Sequence, residues 1–275
     1  MIRARRQFGQ HFLEPVWVDK VMAVIDPHVD DAFIEIGPGP GALTRPLSRR
    51  ARSVTAFEID RDLAAALTAE SIPNLTVVEG DFLSRGVADA ALQASDLRGP
   101  IRVAGNLPYN IASPILFKLV ELHLAGVPLA DATVMLQREV ADRLVAPPGS
   151  KEYGVLSILI GHAADTATVL KLPAGAFRPP PRVLSSLVRL RFRAPDPEVL
   201  DRATFERVVQ SVFTRRRKTL SNALLALDQW QPPQLRPAEA LAAAGLDGSR
   251  RPETLSIGEF ARLADAYVRG PRAVL

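Results

Sequence analysis

The sequence of 275 residues contains no cysteine. This absence excludes disulfide bonds, thiolate metal sites and cysteine nucleophiles together. The four histidines are scattered along the chain, without the paired spacing that a zinc site requires. They are His11, His28, His123 and His162. We therefore expect no metal in the mechanism of this protein.

Long apolar runs are also missing. No stretch approaches the roughly 18 residues that are needed to span a bilayer. The start of the chain, residues 1–6, is basic, and no apolar segment follows that would make it a secretory signal. We expect a cytoplasmic protein without membrane association. Nothing in the sequence indicates an obligate oligomer, so we expect a monomer.

Acidic residues are missing from two stretches of the chain. Residues 171–194 contain six basic side chains and no acidic one, and residues 207–227 contain five more basic side chains. The second stretch includes four consecutive basic residues: Arg215, Arg216, Arg217 and Lys218. The net charge is only +4, so its distribution is more informative than its total. Such patches attract nucleic acid by neutralising phosphates, although one cluster alone is more simply explained as solvated surface.

The first two-thirds of the chain alternates short apolar segments with helical patterns. Six segments are predicted to be strands: 32–36, 54–57, 75–78, 101–104, 132–136 and 186–192. The last one alternates strictly toward its end, which is typical of a half-solvated strand. Repeated strand–helix units predict an α/β fold in which a doubly wound, mostly parallel sheet is covered on both faces.

The pattern changes after residue 193. Residues 194–197 form a linker, and four later segments have apolar residues at helical spacing: 205–213, 219–226, 237–244 and 257–267. The sequence therefore predicts two domains. Residues 1–195 form the α/β domain, and residues 196–275 form a small all-helical domain.

A glycine-rich loop, residues 35–41, follows the first predicted strand. In a doubly wound sheet such a loop lies beside the ligand crevice, and Gly37 and Gly39 would let a ligand approach the backbone closely. Dinucleotide sites hold pyrophosphate with backbone N–H groups, which Pro38 and Pro40 lack. The loop therefore favours a ligand without phosphates, such as the amino acid part of S-adenosylmethionine. An NAD or FAD turn, or a simple tight connection, is the alternative.

Two acidic residues follow the next predicted strands. Glu58 can accept hydrogen bonds from both hydroxyls of a ribose, and Asp81 can accept one from an adenine amino group. Their neighbours Ile59 and Phe82 are assigned to the same cofactor site. The alternative for Glu58 is a surface or helix-capping acid, although Asp60 is the better candidate for the cap.

The tetrapeptide Asn106-Leu107-Pro108-Tyr109 follows the fourth predicted strand. The amino nitrogen of adenine is a poor nucleophile because its lone pair is delocalised into the ring. The side-chain oxygen of Asn106 and the carbonyl of Leu107, held extended by Pro108, can accept its two hydrogens and favour a pyramidal nitrogen. Tyr109 can stack on the base. The alternative is a simple turn.

Together these segments resemble the small-subunit ribosomal RNA adenine dimethyltransferases of the KsgA type. The resemblance runs from residue 5 to about residue 267, and its marks are 8–13, 35–41, Glu58, 80–81, 106–110, 137–141 and 177–183. It implies a Rossmann-like methyltransferase domain with a basic N-terminal arm, followed by a helical RNA- or ribosome-binding domain. It also implies the use of S-adenosylmethionine to convert two adjacent adenosines of small-subunit (16S) ribosomal RNA to N6-dimethyladenosine during ribosome biogenesis.

The resemblance also assigns individual residues. By position, the cofactor contacts of the family fall on His11, Leu13, Gly37, Glu58, Asp81 and Asn106. Phe177 matches an aromatic residue that stacks on the target base opposite Tyr109, although without the family it would be taken as a core residue. Arg178 and Arg182 are expected to contact phosphate, and residues 137–141 are assigned a structural role.

Three rival interpretations remain open. A resistance-type methyltransferase acting on a large-subunit adenosine would share the same chemistry, although segments 215–224 and 250–255 resemble the small-subunit branch. A protein glutamine N-methyltransferase uses a related motif, but the acid-free basic stretches argue against it. A non-catalytic ribosome assembly factor would be expected to have lost Glu58, Asp81 or Asn106, and all three are present.

Overall fold

The computed structural model describes residues 11–84, 86, 99–227 and 235–270. The basic N-terminal arm and residues 8–10 of the first family segment lie outside the described residues. All six predicted strands are present, with ends that differ from the predictions by at most a few residues. The described strands are β1 (Phe12–Leu13), β2 (Ala32–Ile36), β3 (Ser53–Glu58), β4 (Leu75–Glu79), β5 (Ile101–Asn106), β6 (Leu129–Gln137), β7 (Ala164–Leu172), β8 (Phe177–Arg178) and β9 (Ser185–Phe192).

Seven of these strands form one sheet in the order β4-β3-β2-β5-β6-β9-β7. The neighbours from β4 to β6 are parallel, and β9 is antiparallel to β6. Every residue of β2 is buried, as expected for a parallel strand that is covered on both faces. The prediction of a mostly parallel α/β sheet is confirmed.

The strand order reverses beside β2. The chain runs outward from β2 through β3 to β4, and then returns to β5 on the other side of β2. Ile36 is paired with both Phe57 and Gly105, so three parallel strands reach the same edge of the sheet together. Ligands of doubly wound sheets bind outside the carboxyl ends of the strands at such a reversal.

Five helices are described between Pro15 and Leu144, along the segment that contains the parallel strands: α1 (Pro15–Ile25), α2 (Thr44–Ser48), α3 (Arg61–Ala69), α4 (Ala112–Leu124) and α5 (Arg138–Leu144). Helix α1 buries Val21, Met22 and Ile25 in the core. The side chain of Asp60 accepts a hydrogen bond from the N–H of Asp62 and caps α3, which confirms its predicted role.

Three strands were not predicted. Strands β1 and β8 pair with each other in a separate two-stranded sheet, and each is too short to have a periodic pattern. Strand β7 is at the edge of the large sheet, and most of its residues are partly or fully exposed.

Strand β9 lies inside the sheet, between β6 and β7. It alternates only toward its end, and residues 185–188 are all buried, so the expectation of half-solvation was wrong for its first half.

The chain forms two compact units. The first contains the described residues up to Ala141 and Asp165–Arg193, and the second contains Asp142–Ala164 and the described residues from Ala194 onward. The chain passes from the first unit to the second for the last time between Arg193 and Ala194, two residues before the predicted boundary. Segment Asp142–Ala164 differs from the prediction because its helix α6 (Val155–Gly161) packs on helix α7 (Arg202–Thr214). The spacing of apolar residues predicts that a helix is buried, but it does not indicate in which of the two units the helix packs.

The second unit is helical. Besides α6 and α7 it contains α8 (Leu220–Leu224), α9 (Pro237–Ala244) and α10 (Ile257–Arg269). Ser256 and Glu259 form a capping box at the start of α10, and Glu259 also pairs with Arg250. In the described part of the chain, no helix has the length and apolar character needed to cross a membrane.

Candidate active site

A cavity of about 230 Å³ lies at the carboxyl ends of β2, β3 and β5. It is lined by almost all of the residues that the sequence assigned to the cofactor and to catalysis. These are His11, Leu13, Gly37, Gly39, Glu58, Ile59, Asp81, Phe82, Asn106, Leu107, Pro108 and Tyr109. Residues that are up to about a hundred positions apart in the chain therefore meet at the predicted edge of the sheet.

The glycine-rich loop forms one wall of the cavity. Gly39 has a φ of +57°, in the left-handed region that glycine adopts without strain. Its N–H donates a hydrogen bond to Oε2 of Glu58 at 2.9 Å. A side chain at position 39 would meet the ring of Phe12 at 3.3 Å. The N–H of Gly39 is therefore already bonded to a carboxylate, so the loop is poorly suited to binding a phosphate.

Glu58 ends β3 and is only 4% exposed. Its Oε1 accepts a hydrogen bond from the N–H of Asp60 at 2.9 Å, so each carboxylate oxygen accepts one backbone N–H. Burial raises the pKa of Glu58, and these two hydrogen bonds, from Asp60 and Gly39, partly oppose the rise. A carboxylate has about four lone-pair sites, so Glu58 retains acceptor capacity for further donors from the cavity.

Another part of the cavity lining combines one acidic residue with apolar groups. Oδ1 of Asp81 accepts a hydrogen bond from the N–H of Leu83 at 2.9 Å, which fixes the turn after β4. Phe82 is buried edge-to-face against Phe57, with ring centroids 5.1 Å apart. Ile59 remains 45% exposed beside them. This arrangement suits a flat apolar ring that carries a hydrogen-bond donor.

Glu35 is a cavity residue that was not assigned to the site from the sequence. It is 1% exposed, and its Oε2 has no hydrogen-bond partner among the described residues. Burial raises the pKa of Glu35 to about 8, and the negative charge of Glu58 adds to the rise. The signal in the sequence was one carboxylate inside the otherwise apolar strand β2. A buried carboxyl oxygen that has no partner among the described residues, such as this Oε2, is unfavourable unless a ligand compensates for it.

Asn106 ends β5, and its side chain is held in one orientation. Its Nδ2 donates a hydrogen bond to the backbone oxygen of His11 at 2.7 Å. A carbonyl oxygen can only accept, so the NH₂ group must face His11, and Oδ1 is left as an acceptor. The backbone N–H of Leu107 donates to the oxygen of Met135 at 3.2 Å, which fixes the next residue of the motif on β6.

Tyr109 lies in the turn after β5 and contacts two side chains. Its ring stacks on the imidazole of His11, with centroids 5.5 Å apart and an interplanar angle of 24°. Its hydroxyl lies 2.8 Å from Oγ of Ser185. The imidazole of His11 is fixed in turn, because its Nδ1–H donates to the oxygen of Pro179 at 2.7 Å.

Phe177 is not at the cavity. It is 2% exposed, belongs to β8, and packs in the core with Leu13, its partner on β1. In this conformation its ring is not offered to a base, which agrees with the alternative of a core phenylalanine. Arg178 is 85% exposed and forms an ion pair with Glu14 at 2.9 Å, whereas Arg182 is simply exposed.

The four consecutive basic residues of the second unit differ in their surroundings. Nη2 of Arg216 donates hydrogen bonds to the backbone oxygens of Ser150 and Lys151, and its Nε lies 4.0 Å from Oε2 of Glu253. Arg216 therefore joins three segments of its own unit. By contrast, Arg217 and Lys218 are exposed, and Arg215 donates weakly to the oxygen of Asn222 at 3.4 Å. In the described part of the chain, no three His, Cys, Asp or Glu side chains cluster as a metal site would require.

The comparison with protein families agrees with this geometry. A family model described as ribosomal RNA adenine dimethylase matches residues 1–267. The chain is 42% identical over 271 residues to the ribosomal RNA small subunit methyltransferase A of Acinetobacter baylyi, covering 97% of this chain and 93% of that protein. The protein of the same name from Xylella fastidiosa is 41% identical over 267 residues, covering 96% of each.

Two solved structures share the fold over most of their length. A dimethyladenosine transferase from Plasmodium falciparum has a TM-score of 0.75 and 25% identity, with 92% of this chain and 96% of that chain covered. The 23S rRNA methyltransferase ErmE has a TM-score of 0.64 and 28% identity, with 94% of this chain and 99% of that chain covered. The extent of the family match, together with the identity to curated relatives along nearly the whole chain, shows that this protein belongs to the ribosomal RNA adenine dimethylase family.

Proposed function

We propose that this protein uses S-adenosylmethionine to methylate the N6 amino group of two adjacent adenosines in small-subunit ribosomal RNA, forming dimethyladenosine during ribosome biogenesis. The observation that carries the proposal is the orientation of Asn106. Because Nδ2 is bonded to the carbonyl of His11, Oδ1 is the atom that remains to accept a hydrogen from a substrate amino group. The family match supports the choice of adenine as the base.

The cavity fits S-adenosylmethionine in its chemistry. The cofactor carries an ammonium and a sulfonium, and the buried Oε2 of Glu35, which has no hydrogen-bond partner among the described residues, can accept a hydrogen bond from the ammonium. Glu58 would hold the ribose hydroxyls, and Asp81 would accept the adenine amino group beside the apolar wall of Ile59 and Phe82. The loop at Gly39 has its N–H bonded to Glu58, in keeping with a ligand that has no phosphate.

When bound, S-adenosylmethionine supplies an electrophilic methyl group. The residues of the protein prepare the nucleophile. Asn106 Oδ1 and the carbonyl of Leu107 accept the two N6 hydrogens of adenine and favour a pyramidal nitrogen with an available lone pair. Tyr109 stacks on the target adenine and holds it after this base has left its stacked position in the RNA. Most of the acceleration then comes from positioning, since no strong general base is required and the proton can leave to water afterwards.

The basic surfaces are proposed to bind the ribosomal RNA. Arg217 and Lys218 on the helical unit are exposed and suited to phosphate contacts, as is Arg182 on the first unit. Arg215 is partly exposed, whereas Arg216 is bonded within its own unit and would support this surface. Arg178 can contact phosphate only in competition with its partner Glu14.

The small subunit is favoured over the large subunit as the substrate. Relatives named as small-subunit enzymes are 41–42% identical to this chain, whereas the 23S rRNA methyltransferase ErmE is 28% identical. Both kinds of enzyme match this chain along most of its length. The cofactor chemistry is therefore expected to be shared, and only the RNA substrate separates the two functions.

The test is transfer of labelled methyl groups from S-adenosylmethionine to small ribosomal subunits that lack dimethyladenosine. Large subunits and total protein serve as parallel substrates, and the labelled product is identified by mass. Dimethyladenosine confined to small-subunit RNA is the expected result. Label only in large-subunit RNA would instead assign the resistance-type function to this protein. Label only in protein would overturn the proposal of an RNA substrate.

A further inference from the structure

Two contacts restrain the side chain of Tyr109, one on the face of its ring and one at its hydroxyl, although the residue lies in a turn. The imidazole of His11 covers one face of the ring, and the hydroxyl of Ser185 lies 2.8 Å from the phenol oxygen. Ser185 begins β9, is 2% exposed, and is paired with Gln137 across the sheet. The anchor of the phenol is therefore part of a rigid interior strand.

We propose that Ser185 is a positioning residue for methyl transfer, whose hydroxyl fixes the plane of the Tyr109 ring so that the target base meets a preformed stacking surface. This inference rests on the proposed function, because it requires Tyr109 to receive the base. Ser185 does not line the cavity, so it acts only through Tyr109.

The physical basis is preorganisation. If the tyrosine side chain were free to change rotamer, it would have to become ordered when the base arrives. The conformational entropy lost in that ordering would make the reactive arrangement less favourable. A hydrogen bond from a rigid strand removes this freedom before the substrate binds. The phenol–serine bond also satisfies two hydroxyls in a part-buried setting, where leaving either one unpaired would be unfavourable.

The neighbouring residue provides a matched control. Ser186 is also a serine, is also 2% exposed, and is paired with Leu136 on the same strand. Because side chains alternate along a strand, Ser186 is directed to the other face of the sheet, away from Tyr109. Ser185→Ala and Ser186→Ala therefore make the same chemical change at equal burial, and only the first one removes the bond to Tyr109.

The experiment compares these variants on small subunits that lack dimethyladenosine. Ser185→Ala is expected to lower kcat by about 3- to 10-fold, the range for loss of one hydrogen bond. The KM for subunits and the dissociation constant for S-adenosylmethionine should stay near the wild-type values. Ser186→Ala should keep the wild-type kcat, and Ser185→Thr, which retains the hydroxyl, should recover most of the loss.

A second background keeps the test decisive if Ser185→Ala also loses stability. Tyr109→Phe removes the phenol oxygen, so adding Ser185→Ala should cause no further decrease in kcat. Equal additional losses in both backgrounds would show that Ser185 does not act through Tyr109 and would overturn the inference. An unchanged kcat for Ser185→Ala would do the same. Wild-type protein that methylates no RNA would instead refute the proposed function.

Discussion

The backbone oxygen of His11 accepts a hydrogen bond from Nδ2 of Asn106 at 2.7 Å, across 95 positions of sequence. The bond joins the segment before α1 to the end of β5 and fixes the orientation of the Asn106 amide. It involves only the backbone of residue 11, so any side chain there permits it.

The first prediction concerns Asn106. Asn106→Ala removes the acceptor for the substrate amino group and should lower the single-turnover rate by about 100-fold or more, comparable to the loss of one preorganised hydrogen-bonding group in other active sites. RNA binding should be nearly unchanged, since the bulk of the affinity comes from phosphate contacts. Single-turnover methyl transfer and a binding titration measure the two effects separately.

His11→Asn is the matched comparison for this prediction. It keeps the backbone oxygen that orients Asn106 and removes the imidazole, with its stacking on Tyr109 and its hydrogen bond to the oxygen of Pro179. It should therefore lose much less activity than Asn106→Ala. Similar rates for Asn106→Ala and the wild type would exclude Asn106 from catalysis.

The second prediction concerns Glu58. Both of its oxygens accept backbone N–H groups, from Gly39 and Asp60. Glu58→Gln must turn an NH₂ toward one of these donors, so the side chain loses both its charge and its orientation. Affinity for S-adenosylmethionine should fall by about 10-fold or more, equivalent to about 1.4 kcal/mol. Calorimetry on the protein without RNA measures this directly.

The control for Glu58 is its pairing partner on the next strand. Glu79 is aligned with Glu58 between β3 and β4 but is exposed. Glu79→Gln removes the same charge from the same edge of the sheet, and its cofactor affinity should equal that of the wild type. Equal weakening by both substitutions would mean that net charge, rather than a contact from Glu58, sets the affinity.

The third prediction concerns Glu35 and pH. Its pKa is raised from 4.5 to about 8 in the folded protein. Above about pH 4.5 the unfolded chain releases this proton while the folded protein retains it, so this contribution to stability is lost progressively until about pH 8. Glu35→Gln removes the effect. The variant should be more stable than the wild type at about pH 7, by on the order of 2 kcal/mol.

Urea unfolding at several pH values tests this prediction. The difference in unfolding free energy between Glu35→Gln and the wild type should grow from about pH 5 to about pH 8. The exposed-site variant Glu79→Gln should show no such growth. Above about pH 8, where the Glu35 carboxyl is ionised, Glu35→Gln should also bind S-adenosylmethionine more weakly, because it loses the negative charge that lines the cavity. A variant that is less stable at every pH would contradict the assignment of Glu35 as a destabilising buried acid.

Much of the site could be predicted because a doubly wound sheet brings the ends of its parallel strands together. Gly37, Glu58, Asp81 and Asn106 each follow a strand that the sequence predicted, so their meeting at one edge followed from the order of the strands. The cap of α3 by Asp60 followed from local chemistry alone. These features depend on short-range patterns and one general rule of topology.

The remaining features depend on contacts between distant segments. Phe177 lies in the core because two-residue strands β1 and β8 pair, and neither strand has a periodic signal. Ser185 faces Tyr109 only because β9 runs antiparallel beside β6, which no local pattern indicates. Glu35 was visible as an acid in an apolar strand, but the lack of a hydrogen-bond partner for its Oε2 among the described residues is a property of the packed structure.

The last prediction separates the basic residues of the helical unit. Arg217 and Lys218 are exposed, so Arg217→Ala with Lys218→Ala should weaken binding to small subunits and reduce its dependence on salt, while thermal stability stays unchanged. Arg216→Ala should instead lower thermal stability, because Arg216 holds the backbone of residues 150–151 and lies beside Glu253. Each neutralised phosphate contact reduces the slope of log affinity against log salt by about one unit.

These two readouts assign the roles independently of each other. A melting curve measures the contribution of Arg216 to thermal stability. A salt titration of subunit binding counts the phosphate contacts made by Arg217 and Lys218. Arg216→Lys is informative because lysine keeps the charge but cannot reproduce the several N–H donors of the guanidinium. If Arg216 acts as a support, this variant should melt like Arg216→Ala. If it melts like the wild type and only Arg216→Ala changes the salt slope, then Arg216 acts as a phosphate contact.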